Sequence, residues 1–390
     1  MHEHARLALE SRVAAAREMF FAQNAAPADL VAKPILRSWD RCRSAGLDER
    51  HSLAFDPVGR SRLAECRERH EELRRISEPA AARLAAAVAG ARHMVIVTDA
   101  DGVVVSALGD RSRVSRTLQL LARPGVDLSE RAIGTNSMGT ALRERLPVAV
   151  TAAEHYCRTN AGFVCMAAPL FLPDGRIAGT IDVTGDYDRS APPLAAPVLG
   201  AARAIEIGLF LATQRERLLL QFASDPGELG GKDAGWLAFD DSGRLTGATS
   251  AARHLLGLGD GTIHADFESL FGQSFAAPLR SLGSGSAIRL RTPQGFEFAA
   301  SLARSGTIAP PLPDGPRPRS AATAMTQRGT AQPHAGAAAG NGVAQTLRQL
   351  TSLHAREAVE REAGNKLRAA RRLGISRSTL YRLLGSADGA

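Results

Sequence analysis

The chain has 390 residues, of which 44% are hydrophobic and 23% charged, with a formal charge of +8. Such a composition describes a globular protein of roughly two to four domains, and the positive balance favours a polyanionic partner, either nucleic acid or an anionic membrane surface. It argues against a membrane span, because the most apolar long window, Ala196 to Thr213, contains Arg203 and Glu206, whereas spanning needs roughly 20 mostly apolar residues.

The opening stretch, MHEHARLALESRVAAAREMF, has neither the apolar run nor the cleavage pattern of a signal peptide, so a cytoplasmic protein is expected. Residues 1–75 read as a helical region rich in Ala, Arg and Glu, with breaks at Ala26-Pro27 and Lys33-Pro34. Within it Ile35, Trp39 and Cys42 lie four and then three apart, the spacing of a helical stripe that packs against a neighbour. The cysteines Cys42, Cys66, Cys157 and Cys165 form no CxxC pair and no zinc-ligand spacing. Free thiols are expected in a reducing compartment. A redox role for Cys157 and Cys165 would need an accessible, electropositive setting.

Between residues 76 and 222 the period changes. HMVIVTDADGVVVSALGD, from His93, is two β-branched runs about a turn at Asp99-Ala100-Asp101-Gly102, a hairpin signal. A helical stretch follows over Val114 to Ala122. Thr135 or Asn136 can cap a further helix that runs to Arg145, and Pro147 stops it. Pro147 to Val150 reads as a short strand. FVCMAAPLFLPDGRIAGTIDVTG reads as a second hairpin turning at Pro173-Asp174-Gly175. A helix from Pro193 to Gln221 closes the unit. Hairpin, helix and hairpin, flanked by helices, describe an α+β domain with an antiparallel sheet.

Residues 230–303 repeat the pattern on a smaller scale. One hairpin turns at Asp241-Ser242-Gly243, a helix follows, and a last hairpin turns at Pro293-Gln294-Gly295. Residues 304–342 then shift to Pro, Ala, Gly, Ser and Thr without one Phe, Trp or Tyr. Such a segment cannot bury enough apolar surface to offset its ordering entropy and reads as a flexible linker.

Residues 343–390 are helical again. Val343, Leu347, Leu350 and Leu353 form one apolar stripe, and Leu367, Ala370 and Leu373 form a second. Gly374 suits the left-handed residue that ends a helix. Ile375 plugs the angle, and Ser376 can cap a third helix whose Leu380 and Leu383 face inward. Two short helices joined by a tight Gly-containing turn make a helix-turn-helix, whose last helix enters the major groove. The residues offered to DNA there are Ser376, Arg377, Ser378, Thr379, Tyr381 and Arg382. Arg377 can pair bidentately with a guanine. Lys366, Arg371, Arg372 and Arg382 suit phosphates, which position without specifying. The alternative is a solvated basic face on an ordinary three-helix cap.

The runs Gly364-Asn365, Ala369-Ala370 and LGISRSTLYRLL (Leu373 to Leu384) resemble the Fis-type helix-turn-helix. That resemblance implies a homodimer, paired with help from the helix beginning near Val343, on a two-fold related operator in double-stranded DNA. Upstream, SWDRCRSAGL, SERAIGTNSMGTAL, AEHY and CMAAPLFLPDGRIAGTIDVTG follow one another in an order that resembles the acetoin-catabolism-regulator family of sigma-54-type transcriptional activators. The resemblance implies a GAF-like sensor domain over 76–222, a PAS-like domain over 230–303 and an all-α Fis-type domain over 343–390, in an α+β multidomain chain. One departure matters. That family places an AAA+ ATPase before the DNA-binding domain, and such an ATPase needs the phosphate loop G-x-x-x-x-G-K-[ST]. The nearest string, GELGGKD (Gly227 to Asp233), has the wrong glycine spacing and ends in Asp, and the GAFTGA loop is missing too. ATP hydrolysis and direct sigma-54 remodelling are therefore not carried over. RNA polymerase or a related full-length activator remains as a partner.

With that fold, a small-molecule effector would meet Glu130, Gly134, Thr135, Asn136, Glu154, His155 and Cys165. Unpaired amides at a helix N-terminus attract anions, and Gly134-Thr135-Asn136 opens a helix; the simpler reading is a cap. His155 is equally a hydrogen-bonded core histidine, and Asp182 a cap or turn residue. A small apolar or weakly polar metabolite is the default ligand of a concave pocket. No cofactor, metal or catalytic constellation is read. Reduction of methionine sulfoxide by Cys157 and Cys165 stands as the enzymatic alternative.

Overall fold

The computed structural model describes residues 2–27, 29–50, 60–187, 193–214, 217–231, 233–259, 265–276 and 287–302, together with Val359, Asn365 and Lys366. The chain divides into two units, the first being residues 1–215 with 247–262 and the second 216–246 with 263–390. The linker over 304–342 lies outside the described residues. So does the helix-turn-helix, including Arg371, Arg372 and 376–382; of its DNA-contact residues only Lys366 is described, and it is exposed.

The first unit is built on a five-stranded antiparallel sheet. Its strands are β1 (His93–Asp99), β2 (Val104–Leu108), β3 (Val148–Thr151), β4 (Phe163–Phe171) and β5 (Ile177–Asp186), in the order β2-β1-β5-β4-β3. The first hairpin folds as its sequence predicts. Asp99 makes the turn itself, its Oδ1 accepting from the amides of Asp101 and Val103 at 2.9 Å, while Gly102 takes a positive φ of 88°. Because β5 lies centrally, both of its faces are covered, and its run from Gly179 to Gly185 is buried throughout.

The two faces carry different residues. On one, Val95, Val97, Ala168, Leu170, Ile181 and Val183 form an apolar layer under α4 (Glu71–Ala87) and α8 (Ala195–Thr213). On the other, Met94, Ile96, Cys165 and Ala167 are joined by Thr98, Thr180, Asp182 and Thr184, each 1% exposed or less. This second face is covered by α1 (His2–Arg17), a π-helical turn over Glu18–Ala22, α2 (Lys33–Ser44), α5 (Arg116–Leu121), α6 (Glu130–Ile133) and α7 (Ser137–Glu144).

The N-terminal helices are part of this core. The expected stripe of Ile35, Trp39 and Cys42 is buried to within 1%. The Trp39 ring packs 5.3 Å from Phe20, and its Nε1 donates to the Glu154 carbonyl at 2.8 Å. A boundary at residue 75 therefore falls inside α4, which follows α3 (Arg60–Arg69). By length and composition α8 could cross a membrane, yet its Val198, Ala202, Ile205 and Leu209 pack on the sheet.

One sequence expectation is corrected. The helix expected over Pro193 to Gln221 ends at Thr213, and Leu218–Ala223 is a strand, β6. LLLQFA is a short continuous apolar run, which periodicity alone cannot assign to helix or strand. In the second unit β6 sits in the middle of a sheet ordered β8-β7-β6-β10-β9, formed with β7 (Gly235–Phe239), β8 (Leu245–Ala248), β9 (Ile288–Arg291) and β10 (Glu297–Leu302). α10 (Phe267–Phe271) belongs to this unit, whereas α9 (Ser250–Leu256) falls within the first. The turn repeats the device of the first hairpin: Asp240 Oδ1 accepts from the amides of Ser242 and Arg244 at 2.9 and 3.0 Å. Edge-to-face aromatic pairs fill the core, with Phe222 5.3 Å from Phe298 and Phe239 5.4 Å from Phe267.

Candidate sensor site

The Gly134-Thr135-Asn136 turn is a cap. Asn136 Oδ1 accepts from the Gly139 amide at 3.0 Å, and its Nδ2 donates to the carbonyls of Leu128 and Gly134 at 3.0 and 2.8 Å. With both ends of the amide engaged and 2% of the residue exposed, it has little left to offer a ligand. Thr135 is equally closed, its hydroxyl 2.7 Å from Ser38 Oγ on α2. Gly134 is required by its positive φ of 75° and by crowding: a Cβ there would meet Cys157 Sγ and Tyr156 Cβ at 3.0 Å.

Glu130 belongs to an ionic cluster. Arg41 on α2 grips it bidentately, Nε to Oε2 at 2.7 Å and Nη2 to Oε1 at 2.8 Å, while Nη1 reaches Glu144 Oε1 at 2.7 Å. Arg37 pairs with the same Glu144. Arg37 and Arg41 thus bolt α2 to α6 and α7.

Cys165 lies on the polar face of the sheet, while Glu154 and His155 lie in and just after the 3-10 turn that follows β3. Glu154 Oε2 accepts from the Thr151 amide at 2.9 Å in a capping box, and burial raises its carboxyl above the ordinary range. His155 is 1% exposed; its Nδ1 lies 2.9 Å from the Ala152 carbonyl and its Nε2 3.4 Å from Cys165 Sγ. Burial lowers the imidazole to about 4, so the ring is neutral at neutral pH. Arg17 on α1 holds this loop, its Nη1 donating to the carbonyls of Ala153 and His155 at 3.1 and 2.7 Å.

Asp182 is neither a cap nor a turn residue. It sits in mid-strand on β5, fully buried, and accepts from Ser137 Oγ on α7 and from Thr184 Oγ1, both at 2.6 Å. Burial pushes its carboxyl up to about 7, and the two hydroxyls oppose that rise. Burial, and then the Asp182 charge, also push the Cys165 thiol far above its usual value. Cys42 and Cys157 are pushed up to about 11, again by burial first. Since the thiolate is the reactive form, none of these three thiols is set up as a nucleophile.

A cavity of about 310 Å³ opens beside the ionic cluster. It lies between α2 with the residue after it (Arg41, Cys42, Ala45), the β1–β2 turn (Ala100, Asp101), α6 with its preceding residue (Ser129, Glu130, Arg131) and α7 (Gly139, Leu142, Arg143). Of the candidate ligand residues only Glu130 lines it. Among the described residues no group of His, Cys, Asp and Glu is placed to hold a metal ion.

Residues 10–206, just over half of the chain, match the family described as MimR, N-terminal domain. The chain belongs to that family. Residues 356–384 match the Fis family of bacterial regulatory proteins. The acetoin catabolism regulatory protein of Cupriavidus necator is 30% identical over 57% of this chain and 34% of its own length. The propane 2-monooxygenase operon transcriptional activator MimR of Mycolicibacterium goodii is 32% identical over 46% of this chain and 30% of its own length. The chain thus spans about a third of the length of these curated relatives. Among solved structures, the E. coli DhaR(N)-DhaL complex aligns at a TM-score of 0.44 and 16% identity, over 70% of this chain and 99% of that one.

The MimR-type match covers the N-terminal helices and the sheet together, as the shared core does. Sequence reasoning missed Ser137, Thr184, Arg41 and Glu144. The polar stripe was visible in principle, since Thr180, Asp182 and Thr184 alternate along β5 with the period of a strand. The Arg41 pairings join positions 89 and 103 residues apart, and no local pattern marks them.

Proposed function

We propose that the chain is a transcriptional regulator that senses a small molecule through its GAF-like first unit, carries a PAS-like second unit, and binds a two-fold operator in double-stranded DNA as a cytoplasmic homodimer. The observation that carries this reading is the pairing, in one chain, of a MimR-type N-terminal match with a Fis-family match near the other end. No phosphate-loop motif lies between them. The reading therefore has the protein block or recruit polymerase without ATP-driven remodelling. It includes no catalysis, and the buried, protonated thiols support that. A second reading, favoured by the span of only a third of the relatives' length, makes the chain a partner or competitor of a full-length activator at shared sites.

Genome-wide crosslinking with sequencing of bound DNA tests both, comparing the whole chain with a form truncated after Gly340. Sharp two-fold symmetric peaks that vanish on truncation are expected. Peaks that coincide with those of a full-length relative would select the second reading, and no peaks would defeat both. Arg377→Ala should cost about 1–3 kcal/mol at the recovered site and relax one base position. A uniform loss on all sequences would show that Arg377 reads no base.

A further inference from the structure

The charges around the cavity do not balance. Arg37 and Arg41 are matched by Glu130 and Glu144 in a neutral quartet. The remaining charged residues on the wall are Arg131, Arg143 and Asp101, all exposed and, among the described residues, in no ion pair. Two arginines and one aspartate therefore remain on the wall. Ser129 lies on the same wall, and its Oγ is buried and, among the described residues, has no hydrogen-bond partner. Ala45, Ala100 and Leu142 supply an apolar side. An exposed arginine by itself means little, because water solvates it well. Here two line one concave surface that also holds an unused hydroxyl, and a guanidinium's planar fork of donors matches a carboxylate.

We propose that this cavity binds a small organic carboxylate that carries a hydroxyl or ammonium donor. The carboxylate lies on Arg131 and Arg143, Ser129 Oγ rotates out of its buried position to donate to it, and the ligand's own donor turns to Asp101. A volume of about 310 Å³ is at the small end of ligand cavities, which run from roughly 300 to 1,000 Å³, and it suits an acid of a few carbons. The inference rests on the sensing reading above and names its ligand class, a charged acid where the sequence suggested a small apolar or weakly polar metabolite. It also names the moving part. Arg41 and Cys42 of α2 line the same space as α6 and α7, so an occupant braces α2 against them. A ligand shifts an equilibrium only by preferring one state, and the docked position of α2 is the state this one prefers.

The test uses the full chain with L-lactate and L-alanine as probes and propane-1,2-diol as the neutral control. Calorimetry should show binding of at least one acid and none of the diol. Arg131→Ala and Arg143→Ala should each weaken it about tenfold or more, while Arg176→Ala, a distant exposed arginine paired with Asp174, should leave it unchanged. Both cavity arginines are exposed, so the variants should keep the wild-type unfolding midpoint without ligand. Binding of neither acid, or equal losses in all three variants, would overturn the proposal. Diol binding without acid binding would sink the carboxylate and leave sensing intact. Arginine-dependent acid binding that does not alter occupancy of the mapped operators would keep the site and remove the sensing role.

Discussion

The two faces of the first sheet are made from the same strands yet follow different rules. Under α4 and α8, Val95, Leu170, Ile181 and Val183 join one cluster of apolar side chains. On the opposite face the same strands present Thr98, Thr180, Asp182, Thr184 and Cys165 to α7 and to the N-terminal helices. An apolar layer tolerates exchange of one hydrophobic side chain for another of similar volume. A buried polar layer does not, because each donor left unmatched costs about 1–3 kcal/mol. The first face thus supplies generic stability, and the second fixes one particular arrangement of helices around the candidate site.

That contrast can be broken, beginning with the largest effect. Leu170→Ala on the apolar face should cost about 2–5 kcal/mol, by the same amount at pH 5 and pH 8 in urea titrations. A pH-dependent loss would show that the apolar face also senses protons. Asp182→Asn should behave oppositely. The folded carboxyl titrates at about 7, against an ordinary value of about 4, so between those values the folded chain holds a proton that the unfolded chain has released. The stability this group contributes is full below about pH 4 and is lost as pH rises through 7. The asparagine variant removes that slope and should gain on the wild type by on the order of a few kcal/mol between pH 5 and pH 8. His155, lowered to about 4, slopes the other way, losing stability as pH falls from about 6.5 towards 4; it is present in both proteins and cancels in the difference. An equal wild-type-to-variant gap at both pH values would reduce Asp182 to a packing residue.

Arg41→Ala sharpens the comparison at the edge of the polar face. It should cost about 1–3 kcal/mol, since the Glu130 side chain, only 8% exposed, loses its bidentate partner. Hydrogen exchange should quicken in α2 before it does in α4. Uniform quickening would show that the ion pairs do not act locally. Asn136→Ala should cost a comparable amount, about 1–3 kcal/mol, because the Gly139 amide loses its cap and the carbonyls of Leu128 and Gly134 lose a donor, read as a shift in the urea midpoint.

Much of this architecture was legible in the sequence. The hairpin turns at Asp99 to Gly102 and at Pro173 to Gly175, the Asn136 cap and the Ile35–Trp39–Cys42 stripe all rest on local chemistry, within a few residues of chain. What stayed hidden depended on pairing over distance. β6 carried no period because a central strand is apolar on both sides. Asp182 suggested a turn because aspartate is common there; only the fold places the Ser137 hydroxyl opposite it. The cavity gave no local sign at all, since its walls come from residues 41, 101, 131 and 143, each unremarkable in its own segment.

The burial of Phe20 and Trp39 beneath strands that come much later in the chain has a consequence for biosynthesis. Trp39 leaves the ribosome about 140 residues before Asp182, which at 5–20 residues per second is roughly 7 to 30 s. The central strand β5 pairs with β1 and β4, so the layer that receives these aromatics cannot close until β5 has emerged. During that interval the earliest part of the chain carries uncovered aromatic surface. A translational pause or a premature stop before β5 would leave it so, making those aromatic side chains the natural target for chaperones on an unfinished chain.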